Sequence, residues 1–559
     1  MQTEKLRGVY YTPIHVVDDI VEQTVGRLLV GKTPTQLWDT PLRILEPACG
    51  TGVFLVRAYQ YLLDWFGGDL PPTDRVRILL DSLYGVDIDP IAVEATRWAL
   101  VRMAGKTQNF SAAAAQAIYV ELGQNLKSGN AVIGPDCSDP CRDCPLDWER
   151  EFPAILQAGG FDAVIGNPPF LDAELMVEHW PEQRRYCASH YRTASGNWDL
   201  FCVFIEKAIA LCKPGGFTSL VVPNKLGSAR YAAPARQLLA LDNQLLSIRD
   251  YSMAGIFPAS VYPIVYVTQK QPPQAGAMVR VEQVHPGKPP IVRELACDRH
   301  FKQPERPWPI FAGALPLTLL DQIQTRFPML GSIAEVCGAA TVGEAYQLQP
   351  LLQEAGADAA GALPVVNSGT IDRYHLLWGQ KPFRYLGQRY QRPVLERHRL
   401  QVLSPRRQEQ VLQPKIIVAG MSKILECGVD LAGQVLAGKS TTIVRSSLNL
   451  LHLLGLLNSR LLTLIYQSLF GGDRLQGGYL RIGPPQLRAL PIWVPNLADP
   501  IDQQHHETLI RLVERMLVLQ QEPDEAMQPE IDRLDQAIDH LVCSLYGLTE
   551  AETATILEP

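Results

Sequence analysis

Along the first 270 residues, short apolar runs alternate with longer stretches in which apolar residues recur at helical spacing. The apolar runs predict five buried strands, at Leu42–Leu45, Leu83–Asp87, Ala163–Ile165, Thr218–Val222 and Ile264–Thr268. The longer stretches predict helices at Val53–Trp65, Pro90–Met103 and Leu200–Cys212. Alternating strands and helices are typical of an α/β domain with a mostly parallel sheet, in which ligands bind beyond the carboxyl ends of the strands.

The pattern changes after this first domain, which is predicted to span 1–275. Residues 276–330 are rich in proline and are predicted to be a linker. Residues 331–498 mix short apolar runs with glycine-rich turns, which predicts a second domain of mixed α+β structure. Residues 499–559 place apolar side chains at helical spacing, which predicts a helical tail of two packed helices.

One predicted strand ends abruptly. The stretch "FDAVIGNPPF", from Phe161 to Phe170, runs from apolar residues through a glycine into two consecutive prolines. Proline lacks an N–H donor and fixes its own φ, so neither Pro168 nor Pro169 can continue a central strand. The sequence therefore predicts a rigid strand end that holds an amide, Asn167, and an aromatic ring.

A glycine turn follows the first predicted strand and opens a helix. In "ILEPACGTGVFL" (Ile44–Leu55), Gly50 and Gly52 permit a tight turn and a close approach of a ligand to the backbone. No Gly-Lys-Ser/Thr follows, which excludes a P-loop, and the third glycine of the dinucleotide fingerprint is missing. An ordinary turn is the alternative interpretation.

The next predicted strand, in "LYGVDIDP", ends in Asp87. A carboxylate at this position can accept hydrogen bonds from both hydroxyls of a ribose. Asp87 lies 35 residues after Gly52, farther than the roughly 20 of the dinucleotide pattern. This second strand that ends in an acidic residue, together with Glu46 just before the glycines, favours the interpretation of the glycine turn as a nucleoside-binding site over that of an ordinary turn.

The motifs Glu-Pro-Ala-Cys-Gly-Thr-Gly, Asp-Ile-Asp-Pro and Asn-Pro-Pro-Phe, in that order, resemble those of the gamma class of DNA adenine methyltransferases in restriction–modification systems. "GVYYTP" (Gly8–Pro13) resembles the family's N-terminal cofactor motif, and "GNAVIG" (Gly129–Gly134) resembles the segment that reaches the cofactor's adenine. "NWDLFCVFIEKAIALCKPGG" and "VVPNKL" are similar to the type IIG-like branch. The resemblance implies an α/β class I S-adenosylmethionine-dependent methyltransferase (Rossmann-like) sheet, followed by a target-recognition domain for double-stranded DNA at 331–498.

The resemblance also implies a site for S-adenosylmethionine. Its cofactor-binding residues would be Thr12, Pro13, Glu46, Pro47, Ala48, Gly50, Gly52, Asp87, Ile88 and Asn130. Within this site, Thr12 would border the methionine end, Asp87 the ribose and Asn130 the adenine.

The same resemblance implies a catalytic role for the strand end at Asn167. The 6-amino nitrogen of adenine is a poor nucleophile, because its lone pair is delocalised into the ring. Acceptors at the Asn167 side-chain oxygen and the Pro168 carbonyl would localise that pair, and alignment with the activated methyl group supplies most of the acceleration. Pro169 would add rigidity, and Phe170 would stack on a flipped-out base, a contact of about 1–3 kcal/mol.

A second ring is expected on the other side of the flipped base. The stretch "AGIFPASVYP" (Ala254–Pro263) resembles the family segment that supplies it, and Phe257 is favoured over Tyr262. The alternative is that Phe257 is an ordinary core residue.

Charge is unevenly distributed along the chain. The net charge is −7, which by itself argues mildly against a polyanionic partner. Residues 371–420, however, contain ten basic side chains against three acidic ones, a local net charge of +7. The basic residues are Arg373, Lys381, Arg384, Arg389, Arg392, Arg397, Arg399, Arg406, Arg407 and Lys415. This segment predicts a face that meets DNA phosphates, and the alternative is a solvated surface.

The cysteines and the apolar runs indicate the compartment. Eleven cysteines in so long a chain do not suggest a disulfide framework, and no apolar run reaches the ~20 residues of a membrane span, so a cytoplasmic setting is expected. Cys137, Cys141 and Cys144 have spacing compatible with a structural zinc site, but a fourth ligand would have to come from Cys187 or His190. The alternative is a loop of free thiols, and no catalytic metal is expected.

The main interpretation is a site-specific adenine methyltransferase that modifies DNA in a restriction–modification or related defence system. The chain begins near its first cofactor motif, so modification without cleavage is expected, with any restriction endonuclease as a separate chain. The protein is expected to be a monomer. Two alternatives stay open: a methyltransferase acting on protein glutamine or RNA, and an inactive DNA-binding specificity subunit.

Overall fold

The computed structural model describes residues 11–105, 110–137, 144–257, 262–311, 315–356, 361–471, 474–475, 479–521 and 525–557. The chain divides into two compact units, Met1–Ile310 and Phe311–Pro559.

The described part of the first unit forms one nine-stranded sheet. Its strands are β1 (Ile44–Glu46), β2 (Leu83–Asp87), β3 (Leu126–Ser128), β4 (Phe161–Gly166), β5 (Cys212–Pro223), β6 (Gln244–Asp250), β7 (Pro263–Gln269), β8 (Met278–Gln283) and β9 (Ile291–Ala296). They lie in the order β3-β2-β1-β4-β5-β7-β6-β8-β9. Neighbours from β3 to β5 are parallel, and β7 runs antiparallel to both β5 and β6. The predicted α/β sheet of the class I type is therefore confirmed.

Helices connect the strands of this sheet. They span Ile14–Val21, Arg27–Leu29, Pro34–Asp39, Val53–Trp65, Pro72–Ser82, Pro90–Ala104, Ala112–Glu121, Trp148–Glu151, Pro153–Gln157, Ala173–His179, Pro181–His190, Leu200–Leu211, Lys225–Ser228, Ala233–Ala240 and Cys297–His300. Every residue of β1 and β4 is buried, as expected for central parallel strands whose two faces are covered. All five predicted strands and all three predicted helices are present, with ends shifted by a few residues; Cys212, for example, begins β5 instead of ending a helix.

The prediction of a linker at 276–330 is wrong. Strands β8 and β9 form a hairpin that extends the sheet, and Val279 and Val281 alternate into its core. Three of the prolines that suggested a linker, Pro286, Pro289 and Pro290, lie in the turn between these two strands, and the others in this range follow β9. Proline is tolerated there because a turn requires no ladder hydrogen bonds. The period-two pattern of two short strands was hidden by the composition of their surroundings.

The second unit contains several small sheets. Its strands are β10 (Ala334–Gly338), β11 (Gln353–Glu354), β12 (Leu363–Val366), β13 (Ile371–Asp372), β14 (His375–Leu376), β15 (Phe383–Tyr385), β16 (Gln388–Tyr390), β17 (Pro393–Leu395), β18 (Lys415–Ala419), β19 (Met421–Ser422), β20 (Cys427–Asp430), β21 (Leu436–Ala437), β22 (Thr441–Ser446), β23 (Arg474–Leu475) and β24 (Tyr479–Arg481). Two four-stranded sheets have the orders β10-β22-β18-β20 and β11-β17-β12-β21, and β15 pairs with β16 alone.

The helices of the second unit lie mainly toward the end of its sequence. They span Leu317–Arg326, Leu330–Ile333, Val342–Leu348, Pro405–Leu412, Leu450–Asn458, Arg460–Phe470, Pro484–Arg488, Pro500–Gln521, Gln528–Leu545 and Glu550–Leu557. Buried residues of Pro500–Gln521 and Gln528–Leu545 belong to the same apolar cluster as those of Leu450–Asn458. The tail and the predicted recognition domain therefore share one core.

No single helix in the described ranges is both long and apolar enough to cross a membrane; only Leu450–Asn458 and Arg460–Phe470, bent by 63° to each other, pass that test together.

Candidate active site

Four parallel strands deliver the predicted site residues to one edge of the sheet. The order β3-β2-β1-β4 places the carboxyl ends of these strands side by side, so that Asp87, Glu46 and Gly166 close neighbouring strands. Segments far apart in sequence meet here because parallel strands end at the same edge.

The glycine turn is tied to the second strand through Asp87. The backbone N–H of Gly52 donates to the Cys49 carbonyl at 2.7 Å, which closes the turn. The N–H of Gly50 donates to Asp87 Oδ2 at 2.7 Å, and the N–H of Asp89 donates to Asp87 Oδ1 at 2.9 Å. Both glycines have left-handed φ values, +49° at Gly50 and +79° at Gly52, which L side chains rarely adopt.

Thr96 is a site residue that the sequence analysis missed. It lies on the helix Pro90–Ala104, and its hydroxyl donates to the Gly50 carbonyl at 2.8 Å. A Cβ added at Gly52 would lie 2.5 Å from Thr96 Cγ2, so the glycine is needed for packing as well as for its φ. No local signal marks Thr96, because its role depends on how a helix packs against a turn formed much earlier in the chain.

Glu46 is a buried carboxyl group beside the glycine turn. Its side chain is 2% exposed, and its Oε2 atom has no hydrogen-bond partner among the described residues. Burial, and secondly the nearby charge of Asp87, raise the pKa of Glu46 well above its usual value. A cationic ligand group would supply the missing partner and favour the charged carboxylate, so the residue fits the ammonium end of an amino-acid ligand.

The segment after β3 lies beside Asp87. The N–H of Gly129 donates to the Asp87 carbonyl at 2.8 Å. Asn130 is buried; its N–H donates to the Cys144 carbonyl at 2.7 Å, and its Oδ1 accepts from the N–H of Val132 at 3.2 Å. Ile88, next to Asp87, is 51% exposed. An exposed aliphatic side chain next to the carboxylate could pack on a ligand's flat ring.

The residues Asn167 and Thr12 connect the strand end to the N-terminal motif. The Asn167 Nδ2 group donates to the buried Thr12 hydroxyl at 3.0 Å, which fixes the direction of the amide. Just before it, Gly166 has a φ of +156°, and a Cβ there would lie 3.3 Å from Glu46 Cγ. The structure therefore brings Thr12, Glu46 and Asn167 to one end of the sheet, and their roles stay predictions.

The two aromatic residues predicted to hold the base, Phe170 and Phe257, belong to or pack on one apolar cluster. Phe170 is half-buried and packs on the apolar cluster that includes Phe257, which is itself 8% exposed. Residues 258–261 lie outside the described ranges. The role of Phe257 as the second ring stays a prediction, as does the alternative that it is a core residue.

A polar cluster containing Asp199 lies beside the strand end and had no assigned role. Asp199 is buried; it accepts from the Tyr231 hydroxyl at 2.7 Å and lies 3.2 Å from Lys225 Nζ. The N–H of Leu200 donates to the carbonyl of Leu171, the residue after Phe170, at 2.9 Å. Asp199 belongs to "NWDLF" and Lys225 to "VVPNKL", and only the fold shows that these two charged residues pair.

The predicted cysteine cluster lies partly outside the described residues. Cys137 and Cys144 form no disulfide among the described residues, and Cys141 lies outside those residues. His190, one suggested fourth ligand, instead pairs with Asp136 at 2.9 Å. In the described part of the chain, no group of three or more histidine, cysteine or acidic side chains could hold a metal ion. The zinc site stays a prediction, because one of its three cysteines is not described.

Residues 81–257, from the helix before β2 to Phe257, match the sequence model of the Eco57I restriction-modification methylase family. The resemblance to restriction–modification methylases is confirmed. The matched segment includes Asp87, Asn130 and the Asn-Pro-Pro-Phe strand end.

Several curated relatives carry related names. The type II restriction enzyme and methyltransferase RM.Eco57I of Escherichia coli is 24% identical over 45% of this chain and 26% of its own length. The type II methyltransferase M.PaeR7I of Pseudomonas aeruginosa is 27% identical over 47% of this chain and 40% of its own. The adenine-specific methyltransferase PglX of Streptomyces coelicolor is 32% identical over 30% of this chain and 15% of its own. The matches thus span less than half of each of these relatives.

Two solved structures share the fold over nearly the whole chain. The type IIL restriction-modification enzyme MmeI, solved in complex with DNA, covers 97% of this chain and 75% of its own at 15% identity and a TM-score of 0.52. A nuclease-deletion mutant of the type ISP enzyme LlaGI, solved with a DNA substrate mimic, covers 92% of this chain and 47% of its own at 13% identity and a TM-score of 0.52. At these identities the likeness shows the fold alone.

Proposed function

We propose that this protein is a site-specific DNA methyltransferase that transfers a methyl group from S-adenosylmethionine to the 6-amino group of adenine. The observation that carries the proposal is the position of Asn167, which is held by Thr12 at the carboxyl end of β4 and follows Gly166, the residue that packs against the buried Glu46. The family match supports a restriction–modification DNA methyltransferase in general. The name of PglX, an adenine-specific methyltransferase, favours adenine over protein glutamine.

The cofactor site is formed along the edge from β4 to β3. Glu46 would bind the ammonium group of the cofactor, because that cation would supply the partner that the buried Oε2 atom needs. Asp87 would bind the ribose hydroxyls, with Ile88 and the Asn130 segment at the adenine. Gly50, whose Cβ position meets no atom within 4 Å, leaves space for close approach to the backbone. When bound, S-adenosylmethionine supplies an activated methyl group on a sulfonium centre.

The residues of the strand end would act on the adenine. The Asn167 Oδ1 atom and the Pro168 carbonyl would accept hydrogen bonds from the two amino hydrogens, which localises the nitrogen lone pair toward the methyl group. This role requires rigid placement and no strong base, and two prolines after Asn167 restrict the backbone accordingly. Phe170 would stack on the base, which must leave the duplex to reach the site. The surplus proton then passes to solvent.

Double-stranded DNA is the proposed partner. MmeI and LlaGI, which share the fold, were solved with DNA or a DNA substrate mimic. We assign sequence recognition to the predicted domain at 331–498. A separately encoded restriction endonuclease and a monomeric state remain predictions.

Expression in a methylation-free bacterial host, followed by long-read sequencing of its genome, tests the proposal. We expect N6-methyladenine at one recurring sequence, and none in cells that express Asn167→Ala at the same level. Absence of modified adenine from every sequence context, with folded wild-type protein present, would contradict the proposed function. Specific double-strand cuts in the presence of magnesium would contradict the expectation of modification without cleavage.

A further inference from the structure

Most of the basic side chains at 371–420 are paired with acidic side chains of the same chain. Six of the ten form ion pairs with carboxylates: Arg373–Asp535, Lys381–Asp372, Arg399–Glu396, Arg406–Glu335, Arg407–Glu344 and Lys415–Asp430. Lys415 and Arg407 are also buried. The positive charge that the sequence shows is therefore largely structural and does not by itself define a surface for a polyanion.

Four arginines remain without an ion pair to any described residue: Arg384, Arg389, Arg392 and Arg397. All four are exposed. The Arg392 guanidinium lies over the Trp378 ring, 4.8 Å from its centroid, so part of its surface is occupied. Arg384 and Arg389 have no such contact among the described residues, and both lie on one small hairpin.

The geometry of this hairpin places the two arginines side by side. Strands β15 and β16 are antiparallel, with Arg384 directly opposite Arg389. The turn between them consists of Leu386 and Gly387, both at positive φ, as in the type I′ turn that fixes the register of a two-residue hairpin. Because side chains alternate along a strand, Arg384 points away from the face on which its neighbours Phe383 and Tyr385 are buried.

Two like charges directly opposite each other destabilise a strand pair. The hairpin tolerates them because the pair is exposed and its other face is anchored by Phe383 and Tyr385, which stack with ring centroids 5.5 Å apart in an apolar cluster. An anionic group bound between the guanidinium groups would remove the repulsion. A two-stranded ribbon also has dimensions that the major groove of DNA admits.

We propose that the exposed face of the β15–β16 hairpin contacts duplex DNA through Arg384 and Arg389. This inference rests on the proposed function and names a contact within its recognition domain. The acceptor atoms are either phosphate oxygens or the O6 and N7 atoms of guanine, since an arginine fork binds both kinds of acceptor.

DNA binding by the full-length protein tests the contact. The probe is a mixture of genomic DNA fragments from a methylation-free host, titrated at several salt concentrations. We expect Arg384→Ala/Arg389→Ala to weaken binding by at least about tenfold and, for two phosphate contacts, to reduce the salt slope by about 2. Arg406→Ala is the matched control: its side chain is 76% exposed in the same segment but paired with Glu335, so binding should stay as in the wild type.

A lysine variant separates the two kinds of acceptor. Arg384→Lys/Arg389→Lys keeps a point charge for phosphate but loses the bidentate fork that reads guanine. Retained affinity with an unchanged methylated sequence assigns the contact to phosphates. A relaxed methylated sequence at a G·C position assigns it to guanine.

The inference fails if the double alanine variant binds with the wild-type affinity and salt slope and modifies the same sequence at the same rate. This outcome is distinct from failure of the proposed function, in which the wild type itself modifies no adenine. Thermal unfolding of the variant should occur at a temperature no lower than that of the wild type, because both side chains are exposed and their mutual repulsion is removed; this measurement excludes misfolding as the cause of weaker binding.

Discussion

Thr12 and Asn167 are separated by 155 positions in the sequence and joined by one hydrogen bond of 3.0 Å. The bond runs from the Asn167 amide nitrogen to the Thr12 hydroxyl oxygen and holds the amide in place. In the proposed reaction, Thr12 would orient the side chain of Asn167 in addition to bordering the cofactor.

Thr12→Val tests this orienting role. Valine keeps the shape and removes the hydroxyl, so Asn167 loses the bond that holds its amide. A hydrogen bond of this kind is worth about 0.5–1.5 kcal/mol, and we expect the single-turnover rate of methyl transfer to fall by up to about tenfold. Thr12→Ser keeps the hydroxyl and should stay near the wild-type rate. Equal rates for the valine and serine variants would rule out the orienting role.

Glu46→Gln tests the buried carboxyl group. In the free protein, the raised pKa of Glu46 means that the folded state keeps a proton that the unfolded state releases. The free energy of unfolding therefore falls as the pH rises above the usual pKa of a glutamate. Cofactor binding would place a cation beside the carboxylate and release that proton, so cofactor affinity should increase with pH. We expect Glu46→Gln to weaken binding of S-adenosylmethionine and to remove this pH dependence, as measured by calorimetry at several pH values. A pH dependence identical to that of the wild type would contradict the assignment.

Gly52→Ala and Gly50→Ala form a matched pair in the glycine turn. At Gly52 the added Cβ would lie 2.5 Å from Thr96 Cγ2, and the backbone φ is one that alanine rarely adopts. At Gly50 the added Cβ would lie within 4 Å of no atom. Gly52→Ala should therefore lower the free energy of unfolding more, by about 2–4 kcal/mol. Gly50→Ala should cost less stability and mainly reduce cofactor affinity. Denaturant unfolding and cofactor titration of both variants would show whether the two effects separate in this way.

Phe170→Ala tests the stacking contact with the flipped base. Loss of the ring should cost about 1–3 kcal/mol of base binding, while cofactor affinity stays unchanged. The measurement uses 2-aminopurine at the target position, once that position is known, because its fluorescence increases when it leaves the stack. Phe170→Tyr keeps the aromatic face and should behave as the wild type. Full fluorescence with the alanine variant would show that another side chain holds the base.

The strand ends that carry Asp87 and Asn167 could be predicted because their signals are local: an apolar run, then a carboxylate or an amide before proline. Thr96 could not, because its contact with the glycine turn exists only after the helix packs. The strands at Met278–Gln283 and Ile291–Ala296 were obscured by prolines in the intervening turn. The local sequence pattern identifies strands and the residues at their ends. Contacts between distant segments depend on tertiary packing, which a short stretch of sequence does not show.

The basic segment illustrates the same limit for charge. Its net value of +7 is correct as a count of residues 371–420, but Arg373 is neutralised by Asp535, 162 positions away. A local sum of charges cannot include such distant partners. The surface charge that remains is concentrated on fewer side chains, among them Arg384 and Arg389.

The pairing of Arg373 with Asp535 has a consequence for exchanging specificity between relatives. The two terminal guanidinium nitrogens of Arg373, Nη1 and Nη2, donate to the Asp535 carboxylate at 2.6 Å, and Asp535 belongs to the helix Gln528–Leu545. A chimera that replaced residues 331–498 alone would leave Asp535 facing a foreign side chain in a half-buried position. The unit to exchange is therefore the whole of Phe311–Pro559, which keeps the proposed recognition surface together with the helices that share its core.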